Sequence, residues 1–215
     1  NKDTEKLEYF LSMVFHRYID GTAFREKNGD SCEDRFRISL NGKMLEPLDP
    51  LVESNPKTKL REDWVAYEFD TDRSSKKLST KFAVLPKDED VDPDTLRNIM
   101  MVTKTPKEQQ GLYYYRNHRL IKFGGWQGIL TSSLDSTTLV EHAMLRLAKI
   151  AIDVPASMDE EFGLEPTKTD YNPSQRFIYE LSRMIHTPSY VWEIDGKHES
   201  YLGFTKIRYE RKPAS

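Results

Sequence analysis

The sequence has 215 residues, with 32 Lys and Arg against 35 Asp and Glu, a formal net charge of −3 and a pI near 6.0. That balance excludes a global pull toward nucleic-acid backbones or anionic membranes, and the single cysteine, Cys32, excludes an internal disulfide and fits a reducing compartment. No apolar run approaches the roughly 20 residues of a membrane span and no signal-peptide pattern opens the chain, so a cytoplasmic protein of one domain with extensions is expected, with no membrane partner.

The first residue is Asn1 rather than Met, and a piece of a longer chain is the expectation. Leu7, Phe10, Leu11, Val14, Phe15 and Tyr18 recur at spacings of three and four, which predicts an amphipathic helix ending near Asp20-Gly21. It is read either as a core helix or as a connector to an upstream domain. From Asp34 the pattern alternates, with Phe36, Ile38 and Leu40 on one side and Arg35, Arg37 and Ser39 on the other; Asn41-Gly42 supplies a hairpin turn because both residues tolerate positive φ. Residues Asn55 to Arg61 read as a polar loop. Trp64 to Phe69 and Leu78 to Leu85 read as neighbouring strands, separated by the polar stretch Asp70 to Lys77.

Asp92 to Met101 is expected to hold a short helix, and Thr103 to Gln110 a polar link. The passage GLYYYRNHRLIKFGGWQG, residues 111–128, predicts a hairpin: a tyrosine-rich strand, a turn at Arg116-Asn117-His118, and a return strand stopped by Gly124-Gly125. Leu145 to Val154 predicts a central strand, and Ser157 to Phe162 a short helical turn capped by Ser157. Pro173-Ser174 opens a helix through Met184 with Phe177, Ile178, Leu181 and Ile185 on one face. Tyr190 to Ile194, a turn at Asp195-Gly196 and Tyr201 to Tyr209 read as a terminal hairpin or appended edge.

Catalytic signatures are absent. The sequence contains no phosphate loop ending in Lys-Ser/Thr, no HExxH pair and no Gly-x-Ser-x-Gly elbow. His16, His118, His142, His186 and His198 are scattered, and none stands at metal-ligand spacing from Cys32, so no metal site is expected. The acidic run Asp88-Glu89-Asp90 lacks the central Gly and terminal Glu of a calcium loop and reads as solvated.

Three segments, in order, resemble the transducer domain of GHKL ATPases, the superfamily of gyrase B, MutL, heat-shock chaperones and microrchidia (MORC) proteins. They are ISLNGKMLEPLDPL at 38–51, the hairpin GLYYYRNHRLIKFGGW at 111–126, and AKIAIDVPASMDEEFGLEPTKTDYNPSQRFIYEL at 148–181. The tyrosine-rich hairpin is similar to that of MORC-like and bacterial GHKL proteins. The resemblance spans roughly residues 1–187 and implies an α+β fold, a mixed sheet covered by helices like that of certain ribosomal proteins. Residues 1–20 would be a linker helix from an upstream ATP-binding domain, 21–187 the transducer-like domain, and 188–215 a C-terminal hairpin or extension.

What the resemblance implies for chemistry is a single lysine sent across to the ATP γ-phosphate of the neighbouring domain. Position in the Pro-Thr-Lys segment assigns this to Lys168, with Lys122 in reserve and Thr167 and Thr169 shaping the loop. ATP and Mg would be bound by the full-length parent. The nucleotide-site residues of the superfamily are not recognisable here, so the chain alone is not expected to hydrolyse ATP; its partners would be the upstream GHKL nucleotide-binding domain, a second copy in a homodimer, or DNA. Two other classes stay open. One is a nucleic-acid-binding module without ATP, using a sheet face and basic loops that include Lys57, Lys59, Arg61, Arg73, Lys76 and Lys77; separately, Arg116, Asn117 and Arg119 at the hairpin turn read either as structural turn residues or as phosphate or partner contacts. The other is an enzyme built on Asp153, Asp159 and Glu160.

Overall fold

A computed structural model describes residues 2–24, 35–68, 75–94, 105, 107–132, 137–159, 162, 171, 173–194 and 196–210. The chain opens with helix α1 (Lys2–Val14), which breaks at Phe15 and resumes as one turn, α2 (His16–Ile19). A two-residue hairpin, β1 (Ser39–Leu40) and β2 (Lys43–Met44), follows; Asn41 and Gly42 close it at φ 52° and 80°, as the turn chemistry predicts. Five longer strands then build the sheet: β3 (Lys59–Glu68), β4 (Ser75–Val84), β5 (Gly111–Arg116), β6 (Arg119–Phe123) and β7 (Ala148–Val154).

Their spatial order is β3-β4-β7-β5-β6. Every pair is antiparallel except β5 and β7, which run parallel. A parallel pair cannot be joined by a tight turn, and here the returning strand β7 slots between two hairpins made earlier in the chain. Being central, β7 is buried along almost its whole length, which is why its sequence, AKIAIDV, carries so few polar residues.

Register decides which side chains share a face. Tyr113 lies opposite Ala151, and Tyr115 opposite Asp153; with Lys149 and Lys81 they line one face. Leu112, Tyr114, Ile150, Ile152 and Phe82 line the other. Helix α3 (Gln175–His186) covers this second face with Phe177, Ile178, Leu181 and Ile185, the stripe expected from the sequence. Its start is fixed by Ser174, whose hydroxyl accepts a hydrogen bond from the Phe177 amide at 3.3 Å. Helices α1 and α2, with residues 45–52, cover the first face. The architecture is therefore α+β, a mixed sheet covered by helices on both sides. No helix among the described residues is long and apolar enough to cross a membrane.

Several expectations are corrected. Residues Asn55 to Arg61 are not all loop, because β3 begins at Lys59. The central strand begins at Ala148, after a 3-10 turn at Ala143–Leu145. The turn expected from Ser157 instead spans Ala156–Met158 and follows Pro155, so Ser157 lies inside it rather than capping it. The hairpin turn is Asn117-His118 alone, with φ 47° and 62°, and Arg116 belongs to β5. Tyr201 to Tyr209 is not a strand: β8 (Pro188–Ile194) pairs with β9 (Lys197–Ser200), and Tyr201–Glu210 is helix α4. Tertiary contact overrides strand propensity there. The single hydroxyl proton of Tyr201 lies between the carbonyl oxygens of Ala83 (2.8 Å) and Lys149 (2.9 Å), and Tyr201, Leu202 and Phe204 join the same core as the sheet. Most of the helix expected over Asp92 to Met101 lies outside the described residues.

On α1 the apolar stripe divides. Met13 and Val14 are buried, whereas Leu7 and Phe10 are 45% and 42% exposed. The helix packs most deeply at its C-terminal end, while Glu8 pairs with Lys43 at 2.5 Å and Tyr9 packs, partly buried, against the core.

Candidate functional site

Lys168, Thr167 and Thr169 lie outside the described residues, as do Glu160, Cys32 and Arg73. Phe162 and Tyr171 flank the Pro-Thr-Lys segment in the sequence. Phe162 and Tyr171 are both fully buried, and their rings stack 4.9 Å apart. Tyr171 lies 4.0 Å from the ring of Tyr114 on β5, and Phe162 meets Phe177 of α3 edge-on at 5.2 Å. Lys122 on the edge strand β6 donates from Nζ to the backbone carbonyl of Tyr171 at 2.9 Å. The chain thus enters and leaves residues 163–170 through one aromatic clamp, held on one side by a lysine ammonium.

Next to this clamp, Arg116 at the end of β5 grips Asp159 with both arms of its guanidinium, Nε donating to Oδ1 at 2.6 Å and Nη2 to Oδ2. A bidentate fork of this kind fixes direction as well as distance, and it ties the segment after β7 to the hairpin. Asn117 uses its backbone carbonyl to accept the Tyr18 hydroxyl.

The opposite face of the sheet carries a polar cluster that no sequence pattern assembles. Arg17 pairs with Asp153 and its guanidinium carbon stands 3.6 Å from the centroid of the Tyr115 ring. His16 Nε2 shares a 3.1 Å hydrogen bond with the Tyr115 hydroxyl, while buried Nδ1 has no hydrogen-bond partner among the described residues; the Asp20 carboxylate is 4.0 Å away. Burial, reinforced by the adjacent Arg17 charge, lowers the His16 pKa to about 4, so the ring is neutral at pH 7. Lys81 extends the cluster by pairing with Glu53 at 2.7 Å. Of the carboxylates Asp153, Asp159 and Glu160 considered above for acid–base chemistry, Asp153 and Asp159 are each committed to a different arginine.

Deeper on the same face, Lys149 is 2% exposed. Its Nζ donates to the carbonyl of Pro50 at 2.7 Å and lies 5.0 Å from the centroid of the Tyr113 ring. Burial lowers its pKa to about 7, opposed by the field of Asp49. A lysine in the middle of a strand is legible in sequence only as a break in an apolar run, which is the sole signal that would have found it.

The stretch expected to be a polar link ends in a buried node. Gln110 is fully buried, and its Oε1 accepts from Trp126 Nε1 (3.0 Å) and from the His142 amide (3.1 Å), while Nε2 donates to the carbonyls of Lys107 (2.5 Å) and His142 (3.0 Å). All four hydrogen-bonding capacities of the amide are used. Beyond it, Gly111 at φ 104° lets the backbone of Gly125 approach so closely that a Cβ would enter the Gly125 carbonyl oxygen. The glycines and tryptophan of the distinctive passage therefore lock the root of the β5–β6 hairpin.

The acidic run forms a 3-10 turn, Asp88–Asp90, whose carboxylates meet cations: Asp88 with Arg146 at 2.8 Å and Asp90 with Lys57 at 2.5 Å. No group of three or more His, Cys, Asp or Glu side chains suited to a metal gathers among the described residues. Searches for similar proteins return no matching family model, no matching curated protein and no matching solved structure.

Proposed function

We propose that this chain is the transducer half of a GHKL-type ATPase, coupling ATP binding and hydrolysis in a separate nucleotide-binding domain to conformational change or dimerisation. The observation that supports the reading best is the clamped base of residues 163–170: the Phe162–Tyr171 stack and the Lys122 ammonium on the Tyr171 carbonyl. A γ-phosphate sensor needs a cation on a short arm whose root is rigid, so that gaining or losing the phosphate moves one body against another rather than merely bending the arm. Lys168 stands three residues before Tyr171 in the sequence.

In this scheme the Lys168 ammonium neutralises charge on the terminal phosphate and loses its partner when the phosphate departs. Thr167 and Thr169 shape the arm, and Lys122 holds its root. Mg²⁺ and the adenine contacts belong to the nucleotide-binding domain, and this chain supplies one cation to the completed pocket. From the root, displacement passes to β5 and β7, and through the Arg17–Asp153 pair to the helix α2. The test is the steady-state ATPase rate of the complete gene product. Lys168→Ala should lower turnover at least tenfold while ATP is still bound, and Lys122→Ala should lower it less. Parental turnover in the Lys168→Ala variant would remove the reading.

A further inference from the structure

We propose that the aromatic surface around the tip of the β5–β6 hairpin binds single-stranded nucleic acid, with Phe36 as the platform for a base and Arg119 as a phosphate contact. This site lies apart from the Lys168 segment and does not rest on the ATPase reading.

Phe36 is 53% exposed, the most open aromatic ring among the exposed large hydrophobic residues. It is nevertheless firmly held. One face stacks on Tyr18 with centroids 5.1 Å apart and planes at 14°. Phe24 backs both rings, 5.3 Å from Phe36 and 5.8 Å from Tyr18, and His118 from the hairpin tip meets Tyr18 edge-on at 6.5 Å. Backbone bonds complete the support: the Phe36 amide donates to the Tyr18 carbonyl at 2.9 Å, and the Tyr18 hydroxyl donates to the Asn117 carbonyl. A flat ring with one face supported and its orientation fixed from three directions is preorganised to stack a second flat group.

The charges nearby select the kind of flat group. Arg35, Arg37 and Arg119 are exposed, and among the described residues none of them forms an ion pair. That contrasts with their neighbours Arg17 and Arg116, which are bound by Asp153 and Asp159. Arg119 stands 5.5 Å from the Phe15 ring centroid, which keeps its stem near the aromatic surface. Asp20, the described carboxylate adjoining this surface in the chain, is engaged by the Thr22 amide at 2.7 Å. A guanidinium with no ion pair among the described residues, beside a supported ring, matches a strand of phosphates bearing unstacked bases. In a duplex the bases are already stacked on each other, so an isolated ring at the surface gains nothing from them.

The site is tested by the fluorescence anisotropy of a labelled oligo-dT of about 20 nucleotides with the full chain, at low salt and through a salt titration. Phe36→Ala should weaken binding about tenfold with an unchanged salt slope. Arg119→Gln should flatten the slope by roughly 0.7, as loss of one phosphate contact to a single strand requires. Phe36→Trp should keep the affinity and show quenched indole emission on binding, a readout that holds even if the alanine variant melts early. Absence of binding at low salt, equal affinity of Phe36→Ala in a folded state, or tighter binding of duplex or of an acidic peptide than of oligo-dT would each overturn the proposal.

Discussion

The guanidinium of Arg17 stands 3.6 Å from the ring centroid of Tyr115 and pairs at the same time with Asp153, the residue that lies opposite Tyr115 on the adjacent parallel strand. One side chain from α2 thus bridges the two central strands of the sheet. The N-terminal helices are held to the domain by charge and hydrogen bonding as much as by apolar packing.

Removing one partner of that pair should therefore cost more than an ordinary surface ion pair. Arg17 is nearly buried but the Asp153 side chain is 38% exposed, so the 3–5 kcal/mol of a fully buried broken pair is discounted to about 2 kcal/mol. Asp153→Asn should lower unfolding stability by about that amount in urea titrations. Arg17→Ala should cost more, because it also strips the face of Tyr115.

His16 predicts an acid-sensitive limb. The unfolded ring titrates near 6.5 and the folded one near 4, so between these values the unfolded state binds more protons and stability falls as pH falls. His16→Gln should flatten stability between pH 6.5 and 4. An unchanged acid limb in that variant would show that His16 is not the group responsible.

Lys149 gives the corresponding effect on the alkaline side. Its folded pKa is lowered to about 7 from 10.5, so in this interval the unfolded state again holds the extra proton and stability rises with pH, by at most about 1.4 kcal/mol per pH unit. Lys149→Met removes the titrating group. The difference in urea midpoint between the parent and this variant should change steadily from pH 7 to 10, and a constant difference would contradict the assignment. The groups facing the amine, Asp49, the Pro50 carbonyl and the Tyr113 ring, remain in both proteins.

Two glycines separate conformational strain from steric exclusion. Gly42 is at φ 80° with nothing within 4 Å of the place an alanine methyl would take, whereas at Gly111, φ 104°, that methyl would enter the Gly125 carbonyl. Gly42→Ala should cost about 1–2 kcal/mol, the penalty of left-handed backbone alone. Gly111→Ala should cost well beyond this and should unfold the hairpin root, visible as a loss of the near-ultraviolet signal of Trp126.

Elements governed by local chemistry are legible in the sequence. The Asn41-Gly42 turn and the stripe on α3 act within a few residues and lie where their patterns predict, the turn read at Arg116-Asn117-His118 narrows to its last two residues, and the helix start read at Pro173-Ser174 is fixed by the Ser174 hydroxyl. Elements governed by distant partners are not. Tyr201 to Glu210 is helical although its aromatic content suits a strand, and Tyr201 is oriented by carbonyls 118 and 52 residues away. Gln110 reads as loop because three of its four hydrogen bonds reach Trp126 and His142, 16 and 32 residues away. For the candidate site, Lys122 can be named from sequence, but its attachment to Tyr171 spans 49 residues. The cluster of His16, Arg17, Tyr115 and Asp153 exists only because the sheet's strand order brings those residues together.

That strand order also sets a timetable for synthesis. When residue 147 leaves the ribosome, β4 and β5 each present an open edge, since the strand that joins them, Ala148–Val154, has yet to appear. The nascent chain at that stage holds two separate hairpins with unsatisfied backbone donors and acceptors, the condition in which chains adhere to one another. A stalled or truncated product ending before Ala148 is accordingly the species most prone to aggregate, and its rescue depends on the seven residues that close the gap.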